Sequence, residues 1–133
     1  MTVHTASCRC GQLTATATGD PVRVSICHCL ACQKRTGSAF SAQARWPAEC
    51  VEIEGASKEW TRIAESGQAT TYHFCPECGS TVHYSGGNFA DVIAIPLGAL
   101  DDPYIANSPD YSVWEKRKHD WFDIIDEDVE RHD

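Results

Sequence analysis

Seven of the eight cysteines lie in three short groups, and their spacing is the main chemical signal in this sequence. The grouped residues are Cys8 and Cys10, then Cys27, Cys29 and Cys32, then Cys75 and Cys78. Thiolates at such spacings are ligands for zinc, whereas Cys50 stands alone. The pattern predicts metal binding, and we expect two zinc ions.

The third group has the form of a zinc knuckle. In Cys75-Pro76-Glu77-Cys78 two thiolates are separated by two residues, and the following Gly79 permits the positive φ that such a turn needs. This pair is half of a tetrahedral site. Cys8 and Cys10 point the same way on an extended chain and are natural suppliers of the other half. A closed four-sulfur site leaves no position for substrate and is therefore predicted to be structural.

The middle group differs because it supplies three cysteines within six residues. Cys27, Cys29 and Cys32 are enough to bind one zinc ion, and three protein ligands leave a fourth position open. Three ligands with one open position are the usual form of a catalytic zinc site. The spacing therefore predicts a second zinc ion, with these three cysteines as the catalytic residues.

Other assignments fit the same spacings. Cys29 and Cys32 together with Cys75 and Cys78 would make an ordinary four-cysteine zinc ribbon, but this pairing leaves three thiols unused. Cys29-x-x-Cys32 also has the form of a redox motif. The βαβ pattern that accompanies such redox motifs is not seen around it, so this interpretation is disfavoured.

The charge balance and the N-terminus restrict the partners and the compartment. The chain has 133 residues, a formal net charge of -8 and a pI of about 5.1, which disfavours nucleic acid as a ligand. No signal-peptide pattern and no apolar run of ~20 residues is present, so we expect a cytoplasmic protein with no membrane partner and with reduced thiols. Acidic residues cluster from Asp120 onwards, and this segment is expected to be solvated.

Alternation of apolar and polar residues with period two predicts an all-β fold. It is seen in Leu13–Ala17, Val22–Ile26, Phe40–Trp46, Val51–Ile53, Tyr72–Phe74 and Ile93–Leu97. Pro96 indicates a strand end or an edge strand, and one more strand is expected near Tyr111–Trp114. One or two helical turns are predicted over Leu30–Arg35, closed by Gly37. We expect one zinc-binding domain over residues 1–133, with an acidic C-terminal segment from about residue 120.

Several conspicuous residues near or between these groups are given ordinary roles. Neighbouring side chains on an extended chain point opposite ways, so His28 is expected to support the site or face solvent rather than act as a fourth ligand. Lys34 and Arg35 either meet a substrate carboxylate or form a solvated basic pair. Cys50 is interpreted as a small buried residue. The tryptophans are predicted to pack in the core or at interfaces: Trp46, Trp60, Trp114 and Trp121.

The motifs around the cysteines resemble those of the glutathione-dependent formaldehyde-activating enzyme family. The matching segments are CRCG at 8–11, ICHCLACQKRTGSAF at 26–40, FCPECGS at 74–80 and GALDDP at 98–103. The resemblance extends from about Ala6 to about Phe122. It implies a β-tent fold of packed antiparallel sheets. It also implies a structural zinc on Cys8, Cys10, Cys75 and Cys78, and a catalytic zinc on Cys27, Cys29 and Cys32.

The resemblance also implies an activity, the joining of glutathione to formaldehyde to give S-hydroxymethylglutathione, which is a carbon–sulfur lyase reaction run in reverse. The sequence thus predicts a zinc-dependent lyase that forms or cleaves thiol–aldehyde adducts. Its partners would be a small thiol, glutathione above all, and an aldehyde. Thiols add to formaldehyde without a catalyst, so the alternative is a non-catalytic, zinc-stapled module that binds a thiol or a partner protein.

Overall fold

The computed structural model describes residues 1–104 and 108–133, and over these ranges the chain forms eleven strands and one α-helix. The strands are β1 (Val3–Ser7), β2 (Thr14–Thr18), β3 (Arg23–Cys27), β4 (Ser41–Pro47), β5 (Val51–Glu54), β6 (Lys58–Ile63), β7 (Ala69–Phe74), β8 (Thr81–Gly86), β9 (Phe89–Pro96), β10 (Tyr111–Val113) and β11 (Glu130–Arg131). The helix α1 spans Leu30–Thr36. Single 3-10 turns occupy Ala48–Cys50, Leu97–Ala99 and Glu115–Arg117.

The strands make two sheets. The smaller sheet has the antiparallel order β1-β2-β5, and the larger has the order β11-β10-β3-β4-β9-β8-β7-β6. Pairing in the larger sheet is antiparallel except at β10, which runs parallel to both β3 and β11. The predicted all-β fold of packed, mainly antiparallel sheets is confirmed.

One hydrophobic cluster joins the two sheets. It takes alanines and Leu13 from the smaller sheet and its turn, and Trp46, Val82 and Ile95 from the larger. Trp46 is fully buried, and its indole Nε1 donates a 2.9 Å hydrogen bond to the carbonyl of Gly19, so its polar atom is satisfied. Of the two roles predicted for the tryptophans, core packing holds for Trp46 alone. The others lie outside the core, and their packing at interfaces stays a prediction: Trp60, Trp114 and Trp121.

The predicted helix is present over one residue more than expected. Gly37 closes α1 in the left-handed conformation with φ 65°, and its N–H donates to the carbonyl of Gln33 at 2.9 Å. The prediction for Cys50 is wrong in one respect, because this residue is only half-buried at the end of a 3-10 turn. Within the described ranges, no helix combines the length and the apolar character that crossing a membrane requires.

The acidic C-terminal segment is bound to the domain rather than freely solvated. β11 pairs with β10, and Val129 beside it is buried. The guanidinium of Arg131 lies 3.2 Å from the carboxylate of Glu115 and 3.3 Å from that of Asp123. The acidic side chains are mostly exposed to solvent, as expected, but one apolar side chain and one arginine attach the segment to the domain.

The turn after β5 requires a glycine because two backbone segments meet there. Gly55 has φ 104°, and a Cβ atom at this position would collide with the carbonyl oxygen of Gln12. Gly67 has a similar φ of 87°, yet a Cβ atom there would meet nothing within 4 Å. The two positions therefore share the strain of positive φ but differ in the space available to a side chain.

We predict that Gly55→Ala destabilises the protein far more than Gly67→Ala. Strain at positive φ accounts for a loss of about 1 kcal/mol in Gly67→Ala, whereas the added collision raises the loss to about 3 kcal/mol or more in Gly55→Ala. Urea unfolding of the metal-loaded proteins measures both values. Equal losses in the two variants would contradict the close approach of Gly55 to Gln12.

Candidate metal centres

Cys8, Cys10, Cys75 and Cys78 meet in one place, which we call the four-cysteine cluster. Cys8 and Cys10 come from the turn between β1 and β2, and the other two come from the turn between β7 and β8. Cys8 and Cys10 were expected on extended chain, but they lie in a tight turn in which the N–H of Gly11 donates to the carbonyl of Cys8 at 3.0 Å. In the other turn, the N–H of Gly79 donates to the carbonyl of Cys75 at 2.9 Å, as a knuckle requires.

The sulfur positions in the four-cysteine cluster fit a tetrahedral metal site. The Sγ atoms of Cys8 and Cys10 are 3.6 Å apart, those of Cys10 and Cys75 are 3.7 Å apart, and all four lie within 4.8 Å of one another. Zinc–sulfur bonds of about 2.3 Å in a regular tetrahedron require sulfurs about 3.8 Å apart. The cluster therefore has the size of a four-thiolate zinc site.

Hydrogen bonds to sulfur favour the thiolate form of Cys75 and Cys78. The pKa of Cys10 is instead raised to about 11, because the lowering by a hydrogen bond from the backbone of Gln12 is outweighed by hydrogen bonds with neighbouring thiols and by desolvation. The N–H of Leu13 donates to Cys8 Sγ and the N–H of Glu77 donates to Cys75 Sγ, each at 3.3 Å. A hydrogen bond with the side chain of Ser80 lowers the pKa of Cys78 to about 5. Thiolates are the form in which cysteine binds metal, so these contacts suit a ligand role.

Gln12 is a supporting residue that the cysteine spacing does not reveal. Its amide Nε2 donates to Cys75 Sγ at 3.0 Å and to the carbonyl of Ala56 at 2.7 Å. Its Oε1 accepts from the N–H of Ala56 at 2.9 Å. The backbone of Ala56 therefore fixes the amide of Gln12, and the amide donates to the sulfur of a candidate ligand. Hydrogen bonds of this kind, from residues that do not bind the metal, orient metal ligands.

Cys27, Cys29 and Cys32, which we call the cysteine trio, form a second group in which all three Sγ atoms lie within 4.8 Å of one another. Cys27 ends β3, Cys29 precedes α1 and accepts a 3.3 Å hydrogen bond from the N–H of Cys32, and Cys32 lies in the first turn of the helix. No histidine, aspartate, glutamate or further cysteine of the described residues joins this group. The trio is thus an incomplete tetrahedron of soft donors, which suits zinc with one position to spare.

Close packing of the trio separates the pKa values of its thiols. Hydrogen bonds from Cys27 and then Cys29 lower the pKa of Cys32 to about 2, while hydrogen bonds with Cys29 and then Cys32 raise that of Cys27. One negative charge is therefore readily accepted, but like charges so close resist further ionisation. Three thiolates at this spacing require a cation among them.

His28 points away from the trio into the protein, which excludes the solvent-facing position that the sequence left open. It is fully buried, and its Nε2 lies 2.8 Å from Ser112 Oγ on β10. The hydroxyl of Ser112 donates to Glu115 at 2.5 Å, and Glu115 in turn pairs with Arg131. This chain of polar contacts fastens the segment that carries the trio to the C-terminal part of the protein.

A cleft of about 250 Å³ opens beside the trio. Its floor is the β3–β4 pair, where Cys27 lies opposite Ser41, Ser25 opposite Gln43, and Arg23 opposite Arg45. Further side chains on the walls are Arg35, Arg62, Tyr72, Tyr84, Phe89 and Trp114. The four-cysteine cluster does not line this cleft, so the two groups of thiols differ in their access to a ligand as well as in their number.

One comparison with known proteins identifies a family whose model covers both groups of cysteines. The family model described as glutathione-dependent formaldehyde-activating enzyme matches residues 3–117. The chain belongs to this family. Both groups of cysteines, the four-cysteine cluster and the trio, lie within the matched residues.

A solved structure supports the fold of this family member. The chain resembles the crystal structure of a Rhodobacter sphaeroides protein with a TM-score of 0.59 and 16% identity, over 73% of this chain and 87% of the other. At this identity the likeness concerns the fold alone. No curated protein matches the chain significantly.

We predict that Gln12→Leu weakens metal binding at the four-cysteine cluster. Loss of the amide donor to Cys75 removes one outer-shell contact, and such losses reduce metal affinity about 10- to 100-fold. Zinc transfer to a chelator from the zinc-loaded protein measures the effect, with one of two equivalents expected to leave faster. Gln68→Leu is the matched control, because the side-chain amide of Gln68 donates to Asn88 Oδ1 at 2.7 Å rather than to a cysteine. Unchanged zinc release from Gln12→Leu would contradict the role of this residue.

Proposed function

We propose that this protein is a zinc-dependent carbon–sulfur lyase that forms or cleaves the adduct of a thiol with an aldehyde, as in S-hydroxymethylglutathione. The observation that carries the proposal is the cysteine trio, which offers three ligands and an open fourth position at the end of a cleft. Membership of the formaldehyde-activating family supplies the substrate class. We also propose that the protein acts in the cytoplasm, where its thiols stay reduced.

The four-cysteine cluster has the structural role in this proposal. Its four sulfurs complete a coordination sphere, so no position is left for substrate. Cys8 and Cys75 are buried members of the hydrophobic cluster that joins the two sheets. A zinc ion held there would fasten the β1–β2 turn to the β7–β8 turn, and its removal would weaken the core directly.

The cysteine trio has the catalytic role. Cys27, Cys29 and Cys32 would hold a zinc ion, which would supply a soft fourth position for a substrate thiol and favour its thiolate form. Arg35 stands nearby, with its guanidinium 4.8 Å from the ring centre of Tyr72 and 5.0 Å from that of Tyr84. Its positive charge lowers the pKa of Cys32 and offsets the negative charge of three thiolates.

The reaction requires no oxidant or reductant. The sulfur forms a bond to the aldehyde carbon, the π electron pair of the carbonyl moves to oxygen, and the proton lost by the thiol ends on that oxygen. Cleavage is the same sequence reversed. The protein's task is therefore to bring a deprotonated sulfur and an aldehyde together in a cleft of limited volume, which lowers the entropic barrier to their encounter.

We predict that the protein accelerates formation and breakdown of S-hydroxymethylglutathione and that Cys29→Ser loses the acceleration. A free thiol with a pKa near 8.5 is only a few per cent ionised at pH 7, so full ionisation gives an advantage of about tenfold or more. Exchange NMR of the adduct with and without protein measures the rate. Cys50→Ser, which alters a cysteine outside both groups, should behave as the wild type. Absence of acceleration with any thiol or aldehyde would favour the non-catalytic binding module instead.

We predict that a serine in the four-cysteine cluster lowers the stability of the protein, whereas a serine in the trio does not. Cys75→Ser should lower the free energy of unfolding by about 3 kcal/mol or more, because it removes a ligand and places a hydroxyl in the core. Cys29→Ser should leave the unfolding midpoint nearly unchanged, since the trio lies at a cleft. Thermal unfolding and metal counts on both variants test the division. Equal destabilisation by the two substitutions would show that it is wrong.

A further inference from the structure

Two arginines face each other on the floor of the cleft. In the antiparallel register of β3 and β4, Arg23 lies directly opposite Arg45. On the same face of the two strands, the pair Cys27 and Ser41 lies four residues farther along β3, which is about 13 Å at the usual rise of a strand. The cleft therefore has thiol ligands at one end and two guanidinium groups at the other.

The charge of this arginine pair is not neutralised within the described part of the chain. No aspartate or glutamate there lies within 4.0 Å of a guanidinium nitrogen of Arg23 or Arg45. Like charges directly opposite each other on neighbouring strands destabilise a sheet. In addition, Nε of Arg23 is buried without a hydrogen-bond partner. Such an arrangement is typical of a site whose negative charge comes from a ligand.

Aromatic rings hold both guanidinium groups without supplying that charge. The Cζ atom of Arg23 lies 3.9 Å from the ring centre of Tyr111 and 5.1 Å from that of Phe89, and Cζ of Arg45 lies 4.3 Å from the Phe89 ring. One nitrogen of Arg45 also donates to Ser25 Oγ at 3.0 Å. Ring contacts engage the faces of a guanidinium group, so in-plane N–H groups remain available for a planar anion.

We propose that Arg23 and Arg45 bind a carboxylate of the thiol substrate and so select thiols whose carboxylate lies several bonds from the sulfur. This inference rests on the proposed function, because the cysteine trio is taken to hold the sulfur of the same molecule. Glutathione, with carboxylates at both ends of a tripeptide, has this chemistry, whereas a small neutral thiol does not. The arginine pair thus discriminates among thiols and takes no part in forming the carbon–sulfur bond.

The direct test is binding of S-methylglutathione, a thioether that keeps both carboxylates but cannot react. By calorimetry on the zinc-loaded protein, Arg23→Gln and Arg45→Gln should each raise the dissociation constant about 10-fold or more, as expected for loss of charge-assisted hydrogen bonds. The dimethyl ester should bind the wild type as weakly as the acid binds these variants. Arg117→Gln, which removes an exposed arginine that does not line the cleft, should change the dissociation constant less than about twofold.

A second measurement separates this inference from the proposed function. With 2-mercaptoethanol as the thiol, Arg23→Gln and Arg45→Gln should accelerate adduct formation as well as the wild type does. Loss of acceleration with this neutral thiol, or unchanged binding of S-methylglutathione, would overturn the subsite. If the wild type accelerates no thiol at all, the lyase proposal fails, yet the binding experiment still decides whether the arginine pair takes a carboxylate.

Thermal unfolding of the variants tests whether they remain folded. Replacing one of two facing arginines relieves like-charge repulsion, so each single variant should unfold at the wild-type temperature or above it. A lowered unfolding temperature together with reduced zinc content would mean that the arginines serve the fold, and the inference would be wrong. Arg45→Lys keeps the charge but loses the planar guanidinium group. Its dissociation constant for S-methylglutathione should therefore lie between those of the wild type and Arg45→Gln.

Discussion

Repulsion between thiolates that are packed together is the constraint on which this protein depends. Within each group, of four sulfurs in one and three in the other, the sulfur atoms lie within 4.8 Å of one another. Neither group can ionise fully unless a cation lies among its members. The four-cysteine cluster joins segments 65 residues apart in sequence, and two of its members are part of the hydrophobic core. A metal ion bound there would couple metal binding to core formation, because the same side chains serve both.

The two groups of thiols differ because different elements carry them. A turn and a hairpin approach from two sides and surround a centre with four donors, whereas a strand end running into a short helix presents three donors from one side. His28 reinforces that difference. It extends from between two ligands into the protein and reaches Ser112, which connects it to Glu115 and Arg131. Hydrogen bonds through His28 and Ser112 thus anchor the segment that carries the trio, and the trio itself lines the cleft.

What the sequence predicts well is local. Cysteine spacing, the period-two strands and the glycine that ends α1 all depend on a few consecutive residues. β6 is missed because all six of its residues are exposed, and β8 shows no alternation because Val82, His83 and Tyr84 are buried in succession. The contact between Gln12 and Cys75 and the position of Arg23 opposite Arg45 are not local, because they depend on how separate segments of the chain pair. Ser25 and Gln43 appear as the solvent side of their strands, yet both are buried because that side is the floor of the cleft.

Trp114 is the one residue other than glycine with positive φ among those described, at 58°. An aromatic residue adopts this conformation at a cost of about 1–2 kcal/mol, so its neighbours must hold it there. They do so through the backbone, since the N–H of the next residue, Glu115, donates to the carbonyl of His132 at 2.8 Å. The last few residues of the chain therefore fix the backbone conformation of Trp114, which lines the cleft. Their composition suggests that these residues are dispensable. A polypeptide shortened before Val129, however, would lose the hydrogen bond between Glu115 and His132 that holds the indole ring of Trp114 at the cleft.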